Sequence, residues 1–284
     1  MSTRKRVNAS TRKDFHRSRA KLGQNFLTDA GAARRIVEAL GDVERSIVVE
    51  IGPGRGALTR LLAERAKYLI AVELDEMLAQ QLRVAYREKQ NVEVVRADFL
   101  KFSLSDLLSK ENRFQHFGKA RVVGNIPYYI TSDILLRLYE QHELIEIAVL
   151  MMQNEVADRV AAQPGSRDYG LLTVTTKLFA NVESLFTLPP AAFSPPPQVH
   201  STVLRLRMAP KAQSLGVDAK SFIQFCKLAF SQKRKTLFNN LRSKCEPDQI
   251  RSALNISGIR DDVRAEALSL EQLASIYRRV ARKE

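Results

Sequence analysis

Cysteine is nearly missing. The chain of 284 residues has two, Cys226 and Cys245, and neither has a second cysteine or a histidine at metal-ligand spacing. A zinc site is therefore not expected, and the two thiols read as reduced side chains of a cytoplasmic protein. Long apolar runs are missing as well. No stretch reaches the length needed to span a bilayer, so no membrane partner is expected. The opening residues carry charge but no apolar run, so a secretory leader is not expected. No internal repeat is present. Acid is scarce: 31 Asp and Glu stand against 45 Lys and Arg, a formal net charge of +14. That excess implies a polyanionic partner, because Lys and Arg release counterions when they neutralise phosphates. Hydrophobic residues make up 45% of the chain, enough for a substantial core, which excludes disorder of the whole chain.

The basic residues are not spread evenly. Residues 1–21 hold eight Lys or Arg and one acid, Asp14, and read as a flexible basic arm. After it, Ala32, Ala33, Ile36, Val37 and Leu40 repeat at helical spacing behind a cap at Thr28 or Asp29. Short apolar runs at 46–51, 68–73, 92–96, 121–124 and 146–152 alternate with helices predicted at 58–66, 76–88 and 132–139. Continuous apolar strands between helices predict a parallel sheet covered on both faces. Ligands bind such a sheet beyond the carboxyl ends of its strands. Strands predicted at 182–188 and 201–206 flank the proline-rich link PPAAFSPPP, which suggests a hairpin at the sheet edge. Four helices are predicted at 219–230, 236–243, 247–254 and 270–282. The expected division is a basic arm over 1–21, an α/β domain over 22–208, a linker over 209–216 and a helical domain over 217–284.

The segments that follow the strands carry the chemistry. After the first comes Gly52-Pro53-Gly54-Arg55-Gly56, in which glycines let the backbone approach a ligand and turn into a helix. The spacing is G-x-G-x-G, that of sheets binding S-adenosylmethionine, rather than the G-x-G-x-x-G of dinucleotide sites. Glu73 ends the second strand, where a carboxylate can accept both ribose hydroxyls of a nucleoside. Asp98 follows the third and is placed to accept from an adenine amine; a helix N-cap is the competing role. Asn125-Ile126-Pro127-Tyr128 follows the fourth. The amine of adenine is a poor nucleophile because its lone pair is delocalised into the ring. Two acceptors aimed at its two N–H bonds draw it toward tetrahedral geometry and free that pair. The Asn125 side-chain oxygen and the Ile126 carbonyl can supply them, Pro127 stiffens the loop, and Tyr128 can stack on a splayed-out base.

With these motifs in this order the chain resembles the ribosomal small-subunit (16S) rRNA adenine N6,N6-dimethyltransferases. The resemblance runs over nearly the whole chain from Lys21, through LGQNFL, EIGPGRGALT, ELD, NIPYYI, SRDYGLLTV, AFSPPPQVHSTVLRL and SQKRKTLFNNL. It implies a Rossmann-like methyltransferase sheet with a small C-terminal all-helical domain. It implies S-adenosylmethionine as the only cofactor, no metal, and a monomer acting on the small ribosomal subunit and its rRNA. The implied product is N6,N6-dimethyladenosine at two adjacent adenosines of a hairpin loop near the 3′ end of that rRNA. By similarity Asn25, Leu27, Gly52, Glu73, Asp98 and Asn125 line the cofactor site, Gly54 belongs to its glycine loop, and Phe193 stacks on the target base opposite Tyr128. The family usually has Leu at the place of Ile126, and a shorter N-terminal arm. Between residues 211 and 244 stand eight basic residues and one acid, Asp218; Lys233, Arg234 and Lys235 form the densest part and are expected to hold the RNA backbone. Three rivals are weaker. A large-subunit adenine methyltransferase of the macrolide-resistance type shares NIPY but is disfavoured by SRDYGLLTV and QKRKTLFNNL. A non-enzymatic RNA-binding factor is disfavoured by the intact Gly52, Glu73, Asp98 and Asn125 set. An NAD-dependent dehydrogenase is disfavoured by the glycine spacing.

Overall fold

The computed structural model describes residues 25–110, 114 and 117–281. The expected basic arm at 1–21 and the first half of LGQNFL lie outside those residues.

The chain enters as a two-residue strand, β1 (Phe26–Leu27), and turns into α1 (Ala30–Ala39). Asp29 is the cap, its carboxylate accepting from the Ala32 N–H at 3.0 Å, while the Thr28 hydroxyl donates to the Ala192 carbonyl. Strand and helix then alternate: β2 (Ile47–Ile51), α2 (Thr59–Arg65), β3 (Tyr68–Glu73), α3 (Glu76–Ala85), β4 (Val92–Arg96), α4 (Leu104–Lys110), β5 (Ala120–Asn125), α5 (Thr131–Glu140) and β6 (Ile145–Gln153). Two helices follow, α6 (Asn154–Ala161) and α7 (Leu171–Phe179). Next come β7 (Ala180–Leu188), the two-residue β8 (Phe193–Ser194) and β9 (Ser201–Met208). The chain closes with α8 (Ala219–Ala229), α9 (Leu237–Leu241), α10 (Pro247–Ile256) and α11 (Leu270–Val280).

Seven strands form one sheet in the order β4-β3-β2-β5-β6-β9-β7. The first five are parallel; β9 and β7 are antiparallel and form the edge hairpin expected from the sequence. All five residues of β2 are buried, because helices cover both faces of the sheet. Neighbouring residues serve opposite cores. Val48 packs with Ile36, Leu40 and Leu62 on the α1/α2 side. Val49 packs with Leu135, Leu138 and Val174 on the other. That second core continues into Phe222, Leu237 and Leu273 of the C-terminal helices.

Helices α4, α6 and α7 have no counterpart in the sequence expectations. α7, LLTVTTKLF, conceals itself by burying Thr173, Thr175 and Thr176 beside its apolar residues. Two of these hydroxyls are satisfied locally: Thr173 donates to the Arg159 carbonyl, and Thr176 shares a 2.7 Å bond with the Tyr139 hydroxyl. The polar letters hide the helical period although the positions are core.

The chain leaves β2 toward β3 on one side and leaves β5 toward β6 on the other, so a crevice opens beyond the carboxyl ends of β2 and β5. Gly124 makes their contact possible. A Cβ there would lie 2.8 Å from the Ile51 carbonyl oxygen and 3.0 Å from Ile126 Cδ1. Gly124→Ala is expected to lower unfolding free energy by about 1–3 kcal/mol, the usual cost of overpacking. Urea denaturation checks it, and an unchanged midpoint would rule out the tight approach.

Candidate active site

The crevice is a cavity lined by Asn25, Gly52, Gly54, Glu73, Asp98, Asn125, Ile126, Pro127 and Tyr128, nine of the residues expected from the sequence. Gly52 and Gly54 have φ of 60° and 58°, values that suit glycine, so the loop turns sharply off β2. A Cβ on Gly54 would meet the Phe26 ring at 2.9 Å. The Arg55 guanidinium sits 4.4 Å from the centre of the same ring. Phe26 thus forms part of the cavity wall beside the glycine loop, a place not expected from the sequence although it lies between Asn25 and Leu27.

Glu73 holds the loop from below. One carboxylate oxygen accepts from the Gly54 N–H and the other from the Asp75 N–H, both at 2.9 Å. Each oxygen keeps a further lone pair with which to accept another donor. Asp98 accepts from the Leu100 N–H at 3.0 Å through Oδ1, which leaves Oδ2 for an amine. The next helix starts only at Leu104, so Asp98 is not its N-cap.

Asn125 ends β5. Its Nδ2 donates to the backbone carbonyl of Asn25 at 2.8 Å. A carbonyl can only accept, so this bond fixes which end of the carboxamide faces away, and Oδ1 is left as an acceptor. Ile126 is buried, with its N–H on the Met151 carbonyl at 2.9 Å. The Tyr128 hydroxyl shares a 2.9 Å bond with Ser201, which holds the ring beside the cavity. Ser201, fully buried at the start of β9, is another residue not singled out from the sequence.

Two expected residues lie elsewhere. Leu27 and Phe193 are paired with each other across the β1–β8 ladder and are 7% and 4% exposed. Neither lines the main cavity; Leu27 borders a smaller recess beside Glu50 and Asn125. In this arrangement the Phe193 ring belongs to the core beneath the ladder. Lys233, Arg234 and Lys235 are all exposed, on a turn just before α9. Asn240 pins that turn by donating to the carbonyls of Ala229 and Gln232 at 2.7 and 3.2 Å. Lys233 reaches the Arg167 carbonyl at 3.3 Å, so the SRDYG and QKRKT segments form one surface.

The sequence also gave no role to Glu50. It is buried behind the glycine loop, and desolvation pushes its carboxyl up to about 8, with the nearby Glu73 charge adding to the rise and the Thr59 hydroxyl at 2.7 Å opposing it.

A family model described as "Ribosomal RNA adenine dimethylase" matches residues 15–282. The chain belongs to that family. Its relatives include the "Ribosomal RNA small subunit methyltransferase A" of Koribacter versatilis, 57% identical over 265 residues, 91% of this chain and 93% of the relative. The Bacillus licheniformis protein of the same name is 39% identical, covering 91% of this chain and 90% of its own. Among solved structures, the 23S rRNA methyltransferase ErmE matches with a TM-score of 0.69 at 29% identity, covering 91% of this chain and all of that one. A dimethyladenosine transferase from Plasmodium falciparum matches with a TM-score of 0.71 at 25% identity, over 88% and 95%. The Rossmann-like fold, the methyltransferase class and the S-adenosylmethionine cofactor expected from the sequence all hold.

Glu50 gives a pH signature. Its unfolded carboxyl titrates near 4.5 and its folded carboxyl near 8, so folding takes up a proton between those values. Stability therefore falls as pH rises through that window, by up to about 1.4 kcal/mol per pH unit from this group, and the loss ends above it. Glu50→Gln removes that slope. Urea titrations from pH 5 to 9 check it; parallel curves for both proteins would sink the assignment.

Proposed function

We infer that the chain transfers methyl groups from S-adenosylmethionine to the N6 amines of two adjacent adenosines, in a hairpin loop near the 3′ end of small-subunit (16S) rRNA. The place of action is the cytoplasm, during small-subunit biogenesis, and the acting form is a monomer. Among the described residues no helix is long and apolar enough to cross a membrane.

The observation that carries the reading is the orientation of Asn125, whose Nδ2 is held by the Asn25 carbonyl so that Oδ1 is the free end. The cavity fits the cofactor. Glu73 offers two oxygens for the ribose, Asp98 offers Oδ2 to the adenine amine, and the space before Gly52 holds no atom within 4 Å of its would-be Cβ. S-adenosylmethionine supplies an electrophilic methyl group on its sulfonium. Asn125 Oδ1 and the Ile126 carbonyl accept from the two N–H bonds of the target amine and free its lone pair. Tyr128, tethered to Ser201, offers a face to the base. The amine becomes acidic only once methylated, so its proton can pass to water and no strong base is required. Catalysis then rests on positioning and on acceptors fixed in advance. Phe193 completes the stack only if the β1–β8 ladder shifts to uncover it.

Architecture does not separate small-subunit from large-subunit substrates, since ErmE shares the whole fold. Sequence favours the small subunit: relatives with that name reach 57% identity, against 29% for ErmE. The domains over 22–208 and 217–284 divide the labour, chemistry at the strand ends and RNA binding on the helical unit, with the arm over 1–21 as a further basic surface.

Asn125→Ala is expected to cut methyl transfer to small subunits by about 2.7–4 kcal/mol of barrier, a hundredfold or more. Transfer of tritium from labelled cofactor to subunits, with the labelled nucleotide identified, checks both residue and substrate. Near-normal turnover rejects the acceptor role, and label appearing only in large subunits rejects the substrate. Neutralising Lys233, Arg234 and Lys235 together is expected to weaken subunit binding and lower the log–log salt slope by about 0.9 per lost phosphate contact, on the B-DNA value. Cofactor affinity stays unchanged. A filter-binding titration with the wild-type slope would move the clamp elsewhere.

A further inference from the structure

We propose that a polar recess at the end of β6 is a second nucleotide subsite, which takes the base of the adenosine next to the one being methylated. The proposal rests on the rRNA reading above.

The recess lies one step along the same sheet edge. Met151 on β6 pairs with Asn125, and its carbonyl takes the Ile126 N–H. Gln153, two residues further, pairs with Ser201, whose hydroxyl is bonded to Tyr128. Two residues of strand advance about 6.6 Å. The recess therefore opens beside the target cavity at a distance that a neighbouring base of a splayed strand can span.

Its walls suit a base and not a phosphate. Gln153, Thr187, Gln198 and His200 supply carboxamides, a hydroxyl and an imidazole, and Glu155 is the one acid. No Lys or Arg lines it, and Glu155 adds a carboxylate, so the recess lacks the cations that hold a phosphate. Carboxamides are the groups that read the paired donor and acceptor of an adenine edge. Val199, 42% exposed, adds an apolar contact for a ring face.

The frame is fixed while the reading groups are free. Asn154 accepts from the Thr202 hydroxyl at 2.6 Å and donates to Asp158 at 2.8 Å. Thr202 also meets Thr187 at 3.0 Å, and the Asn154 N–H takes the His200 carbonyl at 3.0 Å. The side chains of Gln153, Gln198 and His200, by contrast, hydrogen-bond to none of the described residues. An enzyme that modifies two adjacent adenosines always has the second one a step away. A subsite for its base keeps it from restacking and makes the pair, rather than a lone adenosine, the preferred substrate.

The test is a cycle between protein and RNA. Small subunits are assembled on rRNA with both adenosines, or with one replaced by cytidine, and given S-adenosylmethionine. For wild type, replacement is expected to lower kcat/KM at the remaining adenosine about tenfold, the scale of one lost base-edge contact. The Gln198→Ala/His200→Ala variant is expected to show that loss already on the intact pair, and no further loss on the replaced one. Gln153→Ala alone is expected to give the same pattern, and calorimetry to give wild-type cofactor affinity for both. Wild-type rates on the intact pair, or a second tenfold loss on replacement, overturn the subsite. If the wild-type protein methylates neither adenosine of the intact pair, it is the rRNA reading that fails.

Discussion

The contact between β2 and β5 is the constraint from which the active site follows. Gly124 lets the two backbones close to a distance at which no side chain fits, with the Ile51 carbonyl directly opposite. The chain leaves these neighbouring strands in opposite directions, so their carboxyl ends cannot be covered by a single crossover helix. What remains is a crevice with the glycine loop on one wall and the Asn125 loop on the other. Widening the contact would spread both walls at once. The tolerance for error is small, because a shift of about an ångström in a reacting group can cost a hundredfold in rate.

Two glutamates show how the same side chain serves different ends on adjacent strands. Glu50 on β2 and Glu73 on β3 are both buried. Glu73 has two backbone N–H donors and acts as a strut between the glycine loop and the start of α3. Glu50 has a threonine hydroxyl and little else, and desolvation drives it toward the neutral acid. An ionised Glu50 behind the loop would compete with Glu73 for the same amide dipoles. Keeping Glu50 neutral leaves those amide dipoles to Glu73 alone.

The central strands were legible because burial on both faces removes alternation and leaves plain apolar runs, as in Ile47–Ile51 and Tyr68–Glu73. The glycine loop, Glu73, Asp98 and the Asn125–Tyr128 segment were legible because their places at strand ends are set by backbone geometry. Other parts depend on partners far away in the chain, which no local pattern reports. The orientation of the Asn125 amide is set by a carbonyl 100 residues earlier. The burial of Phe193 comes from a two-residue ladder to Leu27, too short to leave a periodic signal. α7 was hidden by its threonines, of which Thr173 and Thr176 find partners in Arg159 and Tyr139. The Lys233–Lys235 turn was read as basic but not as a turn, because Asn240, which shapes it, belongs to the next helix.

The β1–β8 ladder also has a schedule. Its flanking bond, from the Thr28 hydroxyl to the Ala192 carbonyl, joins residues 164 apart in sequence. During synthesis the glycine loop, Glu73, Asp98 and Asn125 all emerge well before the strand that pairs with β1. At about 5–20 residues per second, seconds separate the synthesis of Asn125 from that of this partner strand. β1 is among the first parts made, yet its only strand partner among the described residues is made far later, at Phe193–Ser194.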